Sequence, residues 1–296
     1  MFDLQVNLGF IIFVKSKTML PLTDLDIWKQ LENPYGNSVE IPSLIERLEN
    51  SFSLEILDEI CWEYIYHQNS LYEATFATIP YLISICEKSD DPNYNMTTFF
   101  NIGVILSELD VTGRLLSQTF AKSAVDKKIV DAIIASYVKA FEKLKTIGHN
   151  LFDIVTEMDE DDKRCFLAAL ATAYERYDVA KVFSTYSGND EYMCTCPDCG
   201  SEFYLWNKGN RLILYLQDPV FNEEQPGFSI TPIPFSEFPS IQNITTTNHF
   251  EWLCFFIDHL EIQSLKPVIG YLFGETECPE CNGNFNVFEA VSDPLV

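Results

Sequence analysis

From Thr23 to about Tyr186, apolar residues recur at three- and four-residue spacing, the period of helices that bury one face. Thr23 or Asp24 is placed to cap a first helix reaching Leu31, and Pro34-Tyr35-Gly36 breaks it. Pro42 suits the start of a second helix over 43–49. Ser53 caps a third, with Leu54, Leu57, Ile60, Cys61, Tyr64 and Ile65 on one face, and His67-Gln68-Asn69-Ser70 ends it. A helix over 72–87 follows, which Pro80 is expected to kink. The pattern predicts further helices over 94–109 and 115–145, the latter closed by Gly148-His149-Asn150. It continues with 166–174, entered through the acidic run Asp159–Asp162, and with 179–186. Successive helices of this kind predict a solenoid of helix pairs, although no strict period is visible in the residues.

At Glu191 the period changes. Residues 202–206 and 212–216 flank Asn207-Lys208-Gly209-Asn210, a hairpin pattern. Residues 219–249 form a long segment rich in Pro, Asn, Thr and Phe. Phe221, Phe228, Phe235 and Phe238 are its candidate anchors on the helices. Helices over 250–265 and 267–273 and a closing strand over 285–291 complete the chain. The fold class expected is therefore mainly α: a helical domain over 19–189, then a small α+β module over 190–296.

Two short stretches organise that module. Cys196-Pro-Asp-Cys199-Gly and Cys278-Pro-Glu-Cys281-Asn-Gly each place two thiols on a turn. Together Cys196, Cys199, Cys278 and Cys281 supply the four soft ligands of a tetrahedral structural zinc site. About 80 residues separate the pairs, so the metal would tie the end of the chain to the start of its last domain. Four protein ligands leave no open position, which speaks against a catalytic metal. Gly200 and Gly283, just past each pair, are expected to let the backbone turn amides toward the sulfurs. Cys194 is a weaker alternative ligand. Cys61, Cys86, Cys165 and Cys254 lie in apolar helical patterns and read as small core residues.

Composition narrows the partners. The chain has 296 residues, 47% hydrophobic and 14% aromatic, which suits a globular protein of one large core or two domains. Its formal net charge is −25. Residues 190–296 carry 16 acidic and 3 basic residues, against 28 and 16 in 1–189, so the cysteine-bearing part is the more acidic per residue. Phosphate backbones would be repelled, which excludes nucleic acid and leaves a basic protein, or solubility alone, as the use of this charge. The odd number of cysteines, nine, and a reduced-thiol site imply a cytoplasmic protein. Leu8–Val14 is too short to span a membrane, and the Asp3 before it does not suit a signal peptide. Residues 1–18 leave two readings open: an added strand, or a start upstream of a natural one at Met19.

Trp28, Tyr35-Gly36, Ile41-Pro42, His67-Gln68, Tyr72-Glu73-Ala74-Thr75 and Pro80-Tyr81-Leu82 together form a distinctive set. It resembles the first repeats of bacterial HEAT-like helical repeat proteins, some of which look to share a C-terminal Cys-Pro-x-Cys element. The match covers roughly residues 24–86. The resemblance implies a helical scaffold with interaction or toxin-neutralising roles, and it carries no catalytic residues across. No nucleophile motif, phosphate loop or His-Glu-x-x-His appears. His149, His249 and His259 are isolated. His67 is the one tempting catalyst, near Gln68, Tyr72 and Glu73, but it joins two helices, where a structural role is expected. The sequence reading is a non-enzymatic interaction protein with structural zinc, in its sharpest form an immunity protein that masks a basic toxin. The alternative is a hydrolase or transferase with a site around His67. A pocket converging on that residue would favour the alternative.

Overall fold

The computed structural model describes residues 19–110, 114–121, 123–186, 191–222, 224–235 and 247–292. Residues 1–18 and Phe238 lie outside them, and with them the two readings of the N-terminus. The protein is mainly helical, and its chain forms two compact units. One comprises the described residues through Leu151 together with Ala169–Tyr177. The other comprises Phe152–Ala168 and Asp178 onward.

In the first unit, Asp24 caps α1 (Leu25–Trp28), and Pro42 sits in the first turn of α2 (Ile41–Asn50). Ser53 caps α3 (Leu54–Asp58), which widens without a break into a π-helix over Glu59–Ile65. The extra residue per turn changes the phase of the buried face. Leu57, Ile60, Cys61 and Ile65 are buried, whereas Tyr64, expected on that face, is only half-buried. Leu54, at the start of α3, is 45% exposed. His67 to Ser70 is not a simple helix end. Gln68 (φ 46°) and Asn69 (φ 58°) form a two-residue turn joining β1 (Tyr66–His67) to β2 (Ser70–Leu71). Two successive left-handed residues are what a tight hairpin of this twist needs, and Asn tolerates that region better than most side chains.

The hub of this unit is α4 (Glu73–Lys88), which runs through Pro80 without interruption and is buried on nearly all sides up to Cys86. It packs on α2, on the π-helix, on α5 (Pro92–Leu106) and most extensively on α7 (Lys127–Phe141). Phe76 meets Tyr137 edge-on at 5.1 Å within that contact. The single helix expected over 115–145 is three: α6 (Arg114–Ala121), α7 and α8 (Leu144–Thr156). Asp126 accepts from Lys128 N at 2.8 Å and starts α7 afresh, which explains the break. Gly148 does not end a helix. It lies inside α8, where a Cβ would come within 2.9 Å of Phe99 Cζ.

Glu160, Asp161 and Asp162 open α9 (Glu160–Ala173), and α10 (Tyr177–Thr185) follows. The boundary between units falls inside α8 and α9 rather than at the compositional change near residue 190. The reason is packing: Phe152 lies 6.1 Å from Phe166 and 6.2 Å from Phe256.

The second unit contains an antiparallel meander: β3 (Glu191–Thr195), β4 (Glu202–Asn207), β5 (Leu212–Tyr215) and β6 (Phe228–Ser229). Phe203, Leu205 and Leu214 point into its core. The expected β4–β5 hairpin is present. Phe221, one of the proposed anchors, is 87% exposed and anchors nothing, whereas Phe228 and Phe235 are half-buried. What holds the segment is backbone: Thr231 bridges Glu275, and Ile233 N donates to Gly270 O at 2.9 Å. Helices α11 (His249–His259) and α12 (Ile269–Leu272) lead to a second hairpin, β7 (Glu275–Glu277) and β8 (Asn284–Asn286). The closing strand expected over 285–291 turns helical at α13 (Val287–Ser292). Asn286 Oδ1 accepts from Glu289 N at 3.1 Å and starts it.

Candidate metal centre

Each Cys-Pro-x-Cys stretch is the loop of a β-hairpin, the first between β3 and β4 and the second between β7 and β8. The two loops repeat one hydrogen-bond pattern. Cys196 N donates to Ser201 O at 2.9 Å, and Gly200 N to Cys196 O at 2.9 Å. Cys278 N donates to Gly283 O at 2.8 Å, and Asn282 N to Cys278 O at 2.9 Å. By position in this pattern, Gly200 matches Asn282, not Gly283. Both take left-handed backbone, with φ 74° and 62°. Gly283 is needed for another reason: a Cβ there would sit 2.2 Å from Asp198 Oδ2, across the gap between the loops. The expected role of Gly283 in turning the chain thus belongs to Asn282.

The loops bring all four sulfurs together. Cys196 Sγ and Cys281 Sγ are 3.8 Å apart, Cys199 Sγ and Cys278 Sγ 3.7 Å, and all four lie within 4.8 Å of one another. A tetrahedral thiolate shell with bonds of about 2.3 Å has sulfur–sulfur edges of about 3.8 Å. A disulfide requires about 2.05 Å, so these are free thiols at the spacing of metal ligands. The first cysteine of each pair is buried and the second is exposed, which gives the cluster one covered and one open side. Phe203 and Phe285, two residues past each loop's closing bond, lie nearly parallel at 6.4 Å and join the two hairpins.

The local chemistry favours a cation. Ser201 Oγ lies 3.2 Å from Cys199 Sγ. Hydrogen bonding by that side chain, and then by the Ser201 backbone, lowers Cys199 to about 6. Burial pushes Cys278 up to about 12. One ligand is thus ready as a thiolate, while the buried one would ionise through metal binding itself. Four thiols in this arrangement could hold one metal ion. Cys194 is not in the group: it is buried in β3 opposite Phe203, and burial raises it to about 12.

The other candidates do not converge. Cys61, Cys86 and Cys254 are buried as expected, whereas Cys165 is only half-buried. His67 is exposed at its hairpin. Glu73, close to His67 in sequence, is 3% exposed and accepts from Glu32 N at 3.1 Å. Beside it, Tyr72 N donates to Thr75 Oγ1 at 2.9 Å, and the Thr75 hydroxyl donates to Ile65 O. The Tyr-Glu-Ala-Thr stretch is thereby explained as the fastening of α4 to its neighbours. His149 pairs with Tyr174 OH at 2.8 Å, His249 faces Asp178 at 4.0 Å, and His259 Nδ1 contacts Phe255 O at 2.9 Å on its own helix. The sequence reading missed Ser201, although a hydroxyl two residues after a knuckle cysteine is a usable signal for a thiolate donor.

The fold and the centre define a mainly helical protein carrying a C-terminal four-cysteine cluster fit for a metal. Among the described residues, no helix is long and apolar enough to cross a membrane. No family model, curated protein or solved structure matches the chain.

Proposed function

We propose that this protein is a non-enzymatic, cytoplasmic interaction scaffold, a helical body of HEAT-like resemblance joined to a zinc-stapled module, whose partner is a basic protein. The observation that carries the reading is the charge of −25. A surface so acidic repels phosphates and steers cationic proteins toward it. An immunity protein that masks a basic toxin is the sharpest form of the proposal. Zinc is the metal proposed because an all-thiolate tetrahedral shell suits it, and a closed shell gives it a structural role. Nine free cysteines suit a reducing compartment.

The test is capture of the purified protein's partners from its native host at about 0.01 M and about 0.15 M salt, where the screening length falls from about 30 Å to about 8 Å. The expected result is a basic protein held at low salt and weakened at high salt. Capture of an acidic protein, or binding indifferent to salt, overturns the electrostatic account.

A further inference from the structure

The π-helix turns Trp62 and Tyr64 away from the centre of the core, beside Tyr66 of β1 and Tyr35 of the loop before α2. Tyr35 is 64% exposed and Trp62 37%, with Tyr64 and Tyr66 half-buried beside them. The rings form two pairs: Tyr35 meets Tyr64 edge-on at 6.1 Å, and Trp62 meets Tyr66 edge-on at 5.8 Å. Each tyrosine hydroxyl is tied to a carboxylate. Tyr35 OH donates to Glu63 at 2.7 Å, Tyr64 OH donates to Glu40, and Tyr66 OH lies 3.2 Å from Glu108.

We propose that this face is the docking surface for a lysine- or arginine-bearing segment of a basic protein. The inference rests on the charge reading above and gives that partner a place to bind. Three observations carry it. First, the aromatic area is open, and Tyr and Trp are the side chains that most often anchor protein interfaces. Second, the hydroxyl–carboxylate bonds hold the rings in place, so a partner immobilises little on arrival. Third, the charge is one-sided. Residues 32–72 carry eight Asp and Glu against the single base Arg47. Among the described residues, Glu40, Glu59 and Glu63 have no lysine or arginine within salt-bridge reach. A cation on this face would meet carboxylates and the negative faces of aromatic rings together. A neutral or acidic partner would use only half of those features, and an acidic one would be repelled.

The experiment uses the full-length protein and a fluorescent ten-residue peptide of alternating Lys, Arg and Gly, titrated by anisotropy at about 0.05 M and about 0.15 M salt. Tyr35→Ala and Trp62→Ala remove the aromatic anchors, Glu63→Gln removes a carboxylate, and Asp159→Asn/Asp161→Asn/Asp162→Asn removes three charges from the other compact unit. Because Tyr35 and Glu63 are exposed, their variants are expected to melt like the parent, which separates lost binding from lost folding. The expected result is a loss of about 10-fold or more for Tyr35→Ala and Trp62→Ala, and a smaller loss for Glu63→Gln. The triple variant should bind within about 2-fold of the parent. If the parent binds and the triple variant weakens while Tyr35→Ala and Trp62→Ala do not, the docking surface is overturned and the basic-partner reading stands. If the parent binds no basic peptide at either salt, both fall.

Discussion

The two units are held together in different ways. The first is built on long helices around α4, whose side chains are buried almost without exception from Glu73 to Cys86. Its core is largely apolar, and buried polar groups such as Glu73 and Thr75 bond to backbone of neighbouring segments. The second unit adds to helices such as α11 strands of only two to six residues and close backbone contacts along residues 230–233. Short strands bury little apolar area, so a further constraint is needed, and the cysteine cluster supplies one by joining two hairpins far apart in sequence. Where helices pack broadly, side-chain area suffices. Where strands are short, a few exact contacts carry the fold.

The sharpest way to break this contrast is to deny the four-cysteine cluster the metal it could hold. Chelation, or Cys278→Ser, should abolish metal content and loosen the second unit while the helical unit keeps its own melting transition. Apparent binding energies for structural zinc in small peptides are about 10–16 kcal/mol, far above any single contact here. Calorimetry beside metal analysis checks it, and one unchanged transition with full metal content would count against the cluster as the staple.

Glycine substitutions sharpen the comparison. At Gly274 an added Cβ would meet Thr231 O at 2.3 Å and Ile230 Cγ2 at 2.9 Å, so backbone must move. Gly274→Ala is expected to cost about 3 kcal/mol. At Gly148 the neighbours are side-chain ends, Phe99 Cζ at 2.9 Å and Leu170 Cδ1 at 3.1 Å, which can shift. Alanine also gains about 1 kcal/mol of helix propensity over glycine. Gly148→Ala should therefore change stability by less than about 1 kcal/mol. Denaturant unfolding measures both, and equal costs would erase the distinction between the two sites.

Between these lies Glu160, whose carboxylate accepts from Gln263 N at 2.8 Å and Ser264 N at 3.1 Å. Burial would raise its pKa, but the hydrogen bonds from Ser264 and Gln263 outweigh that and lower it. Its stabilisation is therefore present above the ordinary carboxylate pKa and is lost as pH falls through the lowered folded value. Glu160→Gln should cost about 1 kcal/mol at neutral pH, discounted for partial exposure, and should flatten the acid limb of the stability profile. A variant with the parent's acid limb would show that the carboxylate contributes nothing.

The sequence by itself determined the helical character of the first part, the β4–β5 hairpin and the four cysteines that meet. Those signals are local or chemical: a repeated apolar spacing, an Asn-Lys-Gly-Asn turn, and two matched Cys-Pro-x-Cys knuckles. Only the tertiary structure decided the rest. The break before α7, the π-helix and the helical end after Asn286 depend on phase and on caps competing with periodicity, and one misplaced residue changes the buried face. Gly148 reads as a terminator along the chain and is a packing residue in space. The turn expected of Gly283 falls to Asn282, and Gly283 must stay small because Asp198, 85 positions earlier, occupies the space a side chain would need. Whether the Tyr72–Thr75 stretch formed a site or a fastening was likewise undecided by spacing. It depended on partners such as Glu32 and Ile65, brought near by the folding of α4 rather than by the order of the residues.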